Sequence, residues 1–209
     1  MIKNVIFDMG GVIVDVHRER AVRNFMAIGV NDADQLIDSY HHKGIFFDIE
    51  SGDIDAGEFC RLLCELAGKN IPREKIENAW RSIIDPPPEY KLAYLSELRQ
   101  THKVFLLSNN NPIIMDWACA SGFTASGKSL DEYFDKLYLS YRMKCTKPGH
   151  KIYKMMIEDA GIIASESLFI DDSKRNIVAA EECGLQVYLA ENSADWRNDI
   201  SNIIQRDNS

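Results

Sequence analysis

Asn4-Val5-Ile6-Phe7-Asp8-Met9-Gly10-Gly11-Val12 is the stretch on which the reading of this chain turns. Asn4 to Phe7 read as a short apolar strand, Asp8 ends it, and Met9-Gly10-Gly11 turns the chain. An ionised carboxylate at the C-terminal end of a buried strand is costly unless a cation or hydrogen-bond donors meet it. In an open α/β sheet that same edge is where ligands bind. Far downstream, Ser167-Leu168-Phe169-Ile170-Asp171-Asp172 ends another apolar strand in a pair of carboxylates. Two acidic strand ends with further strand signals between them predict one acidic pocket.

Working outward, strand signals fall at 5–7, 104–107, 137–139, 168–170 and 186–189. Helical patterns fall between the later ones, at 89–101, 112–121, 149–160 and 174–183. Alternation of this kind predicts a parallel sheet covered on both faces. Four strands end in a polar residue suited to chemistry, namely Asp8, Ser108, Ser140 and Asp171, and Lys147 lies one short loop after Ser140.

Residues 16–87 break the rhythm and carry helical signals alone. Ala21, Val22, Phe25 and Met26 recur at helical spacing. Asp55-Ala56-Gly57-Glu58 reads as a capping box ahead of Phe59, Leu62 and Leu63. Pro72 opens a helix carrying Ile76, Ala79, Trp80 and Ile83, and Pro86-Pro87-Pro88 is a stiff extended hinge. The expected fold is therefore α/β. Residues 1–15 and 88–209 build a Rossmann-like, doubly wound parallel sheet, and 16–87 form an inserted all-helical cap. One more helix is expected around 196–204, in a polar tail.

The bulk numbers narrow the function. The 209 residues are 45% hydrophobic and 27% charged, with a net charge of -8. That balance disfavours a nucleic-acid backbone or an anionic membrane as the main partner and leaves room for a small anion in a local basic pocket. No run is apolar enough to span a bilayer, and Lys3 and Asp8 interrupt the apolar start, so the cytoplasm is the expected location. The five cysteines are scattered without a CxxC pair and read as reduced packing residues. His17, His41, His42, His102 and His150 lack metal-ligand spacing and read as surface or lid residues.

Four elements in order carry a resemblance: Phe7-Asp8-Met9-Gly10-Gly11-Val12-Ile13, Leu106-Leu107-Ser108-Asn109-Asn110, Lys147-Pro148, and Asp171-Asp172-Ser173-Lys174-Arg175-Asn176. With a helical insert after the first, this set resembles the haloacid dehalogenase (HAD) superfamily with a helical cap, over nearly the whole chain. The resemblance implies a Mg²⁺-dependent phosphatase acting on a small-molecule phosphate ester. Asp8 would be the nucleophile that takes the phosphoryl group, and Lys147 would neutralise the phosphate and orient Asp8. Ser108 and the amide of Asn109 would bind phosphate oxygens. Asp8, Asp172, the carbonyl of Gly10 and, directly or through a water, Asp171 would bind Mg²⁺. Phosphoryl transfer demands mostly positioning and charge neutralisation, which such a set supplies.

Gly10 departs from the family pattern, which places a second Asp there as general acid and base. A positioned acid is worth roughly 10²–10⁴ in rate. A good leaving group, an acid from the lid or from water, or a different chemistry would each account for the glycine. Asp8-Met9-Gly10-Gly11-Val12-Ile13-Val14-Asp15, Phe169-Ile170-Asp171-Asp172-Ser173 and Glu50-Ser51-Gly52-Asp53-Ile54 resemble a bacterial subgroup that includes α-D-glucose-1-phosphate phosphatase. A sugar 1-phosphate such as glucose 1-phosphate, with its anomeric leaving oxygen, suits that glycine. Leu107-Ser108-Asn109 also resembles the metal-independent L-2-haloacid dehalogenase branch, but Asp171 and Asp172 would repel a carboxylate substrate. A non-catalytic protein holding a phosphorylated metabolite is the third reading. Asp15, His17, Phe46, Phe47 and Glu50 are the expected lid-side residues for specificity.

Overall fold

The structure, a computed structural model, describes residues 1–38 and 42–207. In chain order, β1 (Asn4–Phe7) is followed by helices α1 (Arg18–Ala27), α2 (Ala33–Leu36), α3 (Ile45–Ser51), α4 (Ala56–Leu66) and α5 (Arg73–Arg81). Next come α6 (Glu89–Leu98), β2 (Lys103–Ser108), α7 (Pro112–Ala118), β3 (Lys136–Leu139) and α8 (Ser140–Met143). The chain closes with α9 (His150–Ala160), β4 (Ser167–Asp171), α10 (Lys174–Glu182), β5 (Gln186–Leu189) and α11 (Arg197–Asp207).

The five strands form one parallel sheet in the order β3-β2-β1-β4-β5. Successive side chains of a strand point to opposite faces, and both faces here are dry. Val5, Phe7, Leu106, Leu168 and Ile170 belong to one apolar cluster, while Ile6, Phe105, Leu107 and Phe169 belong to another. This two-sided burial explains why the strands read as continuous apolar runs rather than alternating ones. From β1 the chain runs outward to β2, and from β4 it runs the other way to β5. The neighbours β1 and β4 therefore flank a topological switch point, where a crevice opens beyond the strand ends. Phe7 pairs with Ile170 in register, so Asp8 and Asp171 leave the sheet side by side.

Helices α1 to α5 are held by their own aromatic centre. Phe46 lies 5.0 Å from Phe25, 5.2 Å from Phe59 and 4.9 Å from Trp80, centroid to centroid, and all four rings are buried. Each such buried side chain is worth about 1.5–3 kcal/mol relative to exposure. This segment is not wholly helical, however. Val16 and Ile84 form an antiparallel bridge, and the His17 N–H donates to the Ile83 carbonyl at 2.6 Å. The two crossings between sheet and helices are thus paired, a long-range contact that helical periodicity cannot signal.

Two helix starts differ from expectation. The Asp55 carboxylate accepts from the Glu58 N–H at 2.8 Å, but the Glu58 side chain pairs with Arg61 at 2.6 Å, so the cap is one-sided. Pro72 sits at the cap position, and the helix starts at Arg73. The C-terminal helix runs to Asp207, further than its apolar residues indicate. No described helix is long and apolar enough to cross a membrane.

Candidate active site

The site is built where β1, β2, β3 and β4 end. Asp8 is positioned by its own N–H, which donates to the Ile170 carbonyl at 2.8 Å and continues the β1–β4 ladder by one residue. One ligand oxygen each from Asp8, Asp171 and Asp172 lie within 4.8 Å of one another. Lys147 reaches them from the loop after α8. Its Nζ lies 2.8 Å from Asp8 Oδ1 and 2.7 Å from Asp171 Oδ2, and its side chain is 1% exposed.

The two carboxylates of β4 do different jobs. Asp171 is fully buried and accepts from the Ser173 N–H at 2.8 Å, from Asn176 Nδ2 at 3.0 and 3.1 Å, and from Lys147. Its oxygens are already committed to protein donors. Asp172 turns instead toward the loop after β1. A Cβ on Gly11 would lie 2.2 Å from Asp172 Oδ2, and Gly11 has φ +73°. Only glycine permits both that backbone conformation and that approach.

Electrostatics bear the same mark. Burial pushes Asp8 up to about 7, against the opposing pull of Lys147, with Asp171 and Asp172 adding to the rise. Burial, then Asp171, pushes Asp172 up to about 6. Burial opposes the charge on Lys147, yet Asp171 and Asp8 outweigh it and hold the ammonium above the ordinary lysine range. One ammonium for three clustered carboxylates leaves uncompensated negative charge when all are ionised. An all-oxygen donor set of this kind fits a hard divalent cation such as Mg²⁺.

Ser108, Asn109 and Asn110 leave the end of β2, and the Asn111 side chain caps α7 by accepting from the Ile114 N–H, with Pro112 at the first turn. The side chain of Asn109 clamps the backbone of Lys147: Nδ2 donates to the Lys147 carbonyl at 2.9 Å and Oδ1 accepts from the Lys147 N–H at 2.8 Å. Ser140, at the end of β3, is fully buried. Its Oγ donates to the Glu50 carbonyl at 2.6 Å and accepts from the Asn110 N–H at 2.9 Å.

These groups open into a cavity of about 180 Å³. Asp8, Gly10, Ser108, Asn109, Lys147 and Asp172 line its floor; Asp171 lies beneath, bonded to Lys147. Arg18, Asp38, His42, Glu50 and Trp80 come from the helical segment above. Of the lid-side residues expected from sequence, Glu50 alone lines it. His17 is held by Asp85 at 2.7 Å, the Asp15 carbonyl accepts from the Asp85 N–H, and Phe46 is consumed by the aromatic centre. Phe47 is half-buried and does not line the cavity. His42, expected at the surface or in the lid, is buried and faces the cavity. His41 lies outside the described residues.

The haloacid dehalogenase-like hydrolase family model matches residues 2–184. This chain is a haloacid dehalogenase-like hydrolase. It is 44% identical over 204 residues to a D-ribitol-5-phosphate phosphatase of Bacteroides thetaiotaomicron, covering 98% of this chain and 99% of the relative. A predicted HAD-like hydrolase of Porphyromonas gingivalis superimposes with a TM-score of 0.94 at 37% identity, covering 98% of both chains. A HAD family enzyme of B. thetaiotaomicron, crystallised with magnesium and inorganic phosphate, gives 0.87 at 39% identity over 94% of this chain and 98% of its own. L-2-haloacid dehalogenase of Xanthobacter autotrophicus shares the fold alone, at 19% identity and a TM-score of 0.58 over 90% of this chain and 76% of its own.

The roles of four residues at this hydrolase site escaped sequence reasoning. Trp80 reads as one more apolar position of a helix, and His42 as a lone lid histidine. Asn176 lies inside a quoted motif but has no role there, and Ser140 reads as one of four polar strand ends with no partner named for it. Asn176 holds Asp171 from five residues on, across the turn into α10, whereas Ser140 ties Glu50 to the sheet from 90 positions away, a contact across the fold that no local signal reveals.

Proposed function

We propose that this HAD-like hydrolase is a Mg²⁺-dependent phosphatase acting on a small phosphorylated polyol or sugar through a phosphoryl group carried on Asp8. The observation that carries the reading is the clustering of Asp8, Asp171 and Asp172 within 4.8 Å around the single ammonium of Lys147. Residues 1–15 with 88–209 act as the catalytic core, and 16–87 as the cap that closes the cavity. The relative with D-ribitol-5-phosphate phosphatase activity and the neighbour holding magnesium and phosphate support the same assignment.

Asp172, Asp8 and the Gly10 carbonyl would hold the Mg²⁺, with Asp171 contributing through a water because its own oxygens are engaged by Ser173, Asn176 and Lys147. Bound there, the cation supplies charge neutralisation at the phosphate oxygens. Asp8 attacks phosphorus as the ionised carboxylate, a form that Lys147 at 2.8 Å favours against the burial that opposes it, while screening its charge from the incoming phosphate. Asn109 fixes Lys147 through its backbone, and Ser108 and the Asn109 N–H, from residues that line the cavity, would donate to phosphate oxygens. The cavity, about 180 Å³ and walled by Trp80, Ile83 and Ile84, suits a five- or six-carbon polyol chain.

Glucose 1-phosphate and an alditol phosphate are the two substrate types to compare. A panel of D-ribitol 5-phosphate, glucose 1-phosphate, glucose 6-phosphate and 2-chloropropionate, each with Mg²⁺ and with EDTA, tests the proposal. Phosphate release that needs Mg²⁺ and vanishes in Asp8→Asn is expected. Chloride release that persists in EDTA would overturn it in favour of a dehalogenase.

A further inference from the structure

Gly10 places no side chain where a proton donor to the leaving oxygen would stand, and an alditol or sugar 6-phosphate leaves as a poor primary alkoxide. We propose, resting on the phosphatase reading, that Glu50 from the helical segment is that donor. The cavity contains few alternatives among the described residues. Lys147 is committed between Asp8 and Asp171. Asp172 belongs to the carboxylate cluster. Arg18 is spent on the Ile37 carbonyl at 2.7 Å and on Asp34 at 2.8 Å. Asp38 is exposed to solvent. Glu50 has a side chain only 13% exposed and faces the same cavity as Asp8.

Its placement does not depend on a freely swinging lid. The Glu50 carbonyl accepts from Ser140 Oγ at 2.6 Å, and that hydroxyl accepts in turn from the Asn110 N–H. Two residues on, a Cβ at Gly52 would meet the Tyr141 carbonyl oxygen at 2.2 Å, so the turn after α3 lies directly against α8. Both contacts run through backbone and leave the Glu50 carboxyl itself to the cavity. His42 then orients that carboxyl. Its Nδ1 accepts from the Asp38 N–H at 3.1 Å, which puts the ring proton on Nε2, 3.5 Å from Glu50 Oε1.

The environment keeps Glu50 protonated near neutrality. Burial raises it to about 8, the Asp8 charge adds to the rise, and Lys147 opposes it. A carboxylic acid held neutral in this way can give up a proton when an alkoxide develops beside it. In the first step the bond from Asp8 Oδ to phosphorus forms, the bond from phosphorus to the ester oxygen breaks, and the Glu50 proton goes to that oxygen, releasing the alcohol. In the second step water attacks phosphorus, gives a proton to the Glu50 carboxylate, and the Asp8–phosphorus bond breaks. Glu50 ends as the acid and Asp8 as the carboxylate.

The test is the single-turnover rate of alcohol or phenol release, which reads the first step alone, across leaving groups with Mg²⁺ present, for wild type and Glu50→Gln. Wild type should show a shallow dependence on leaving-group pKa. Glu50→Gln, which keeps shape and the backbone tether, should lose about 10²-fold or more on D-ribitol 5-phosphate and under about fivefold on p-nitrophenyl phosphate. Equal losses on both, or no loss on either, would overturn the assignment. So would a steep wild-type dependence, a readout that needs no variant to fold. In each of these cases p-nitrophenyl phosphate turnover by wild type leaves the phosphatase reading standing. Absence of that turnover would overturn both.

Discussion

Gly11→Ala probes the link between backbone conformation and the carboxylate cluster. The added Cβ would lie 2.2 Å from Asp172 Oδ2 and 2.6 Å from its Cγ. Carbon atoms rest about 3.5–4.0 Å apart, so the carboxylate must retreat by roughly 1 Å. A Mg²⁺–oxygen bond is about 2.0–2.1 Å long and tolerates little distortion, so that retreat would take Asp172 out of the proposed Mg²⁺ set. The backbone adds its own cost. At φ +73° an alanine is strained by about 1–2 kcal/mol. For a chain of this size that is a fall in Tm of roughly 2–8 °C. Thermal melts with and without Mg²⁺, and kcat against Mg²⁺ concentration, separate the two effects. Gly68→Ala is the control, because Gly68 also has positive φ but nothing lies within 4 Å of its added Cβ. Mg²⁺ should raise the Tm of wild type and of Gly68→Ala, which lowers Tm alone, whereas Gly11→Ala should show no such rise. A Gly11→Ala protein with wild-type Mg²⁺ affinity and activity would refute the reasoning.

Lys147→Met should cost about 3–5 kcal/mol in urea unfolding without metal, because it leaves Asp8 and Asp171 buried without their shared cation; a loss under about 1 kcal/mol would count against the pairing. Asp172→Asn should remove the Asp172 share of the pH dependence of stability measured in EDTA. The folded-state value of Asp172 is raised to about 6, so the native state holds its proton more tightly than the unfolded chain. That contribution is intact below the unfolded value and is lost as pH rises through 6. The variant should therefore be more stable than wild type at pH 8 by roughly 1–3 kcal/mol and lose the advantage near pH 4, with excess Mg²⁺ reversing the order at pH 8. A gap that is constant between those pH values would contradict the electrostatic account.

The sequence alone determined the alternation of strand and helix, the acidic strand ends at Asp8 and Asp171-Asp172, and the family to which they point. Those features are legible because they are local: apolar runs, periodicity and short motifs need no knowledge of what packs across the fold. The floor of the site follows from them, since parallel strands of similar length deliver their C-terminal residues to one edge. Tertiary structure alone decided the rest. It separated Asp171, whose oxygens are taken by Ser173, Asn176 and Lys147, from Asp172, which turns toward Gly11. It set His42 and Trp80 into the roof of the cavity, withdrew His17 and Phe46 from it, and tied Glu50 to the sheet through Ser140. The Glu50–Ser140 contact joins residues 90 positions apart. No pattern within either segment encodes such a pairing, because its geometry exists only once the helices have packed against the ends of the strands.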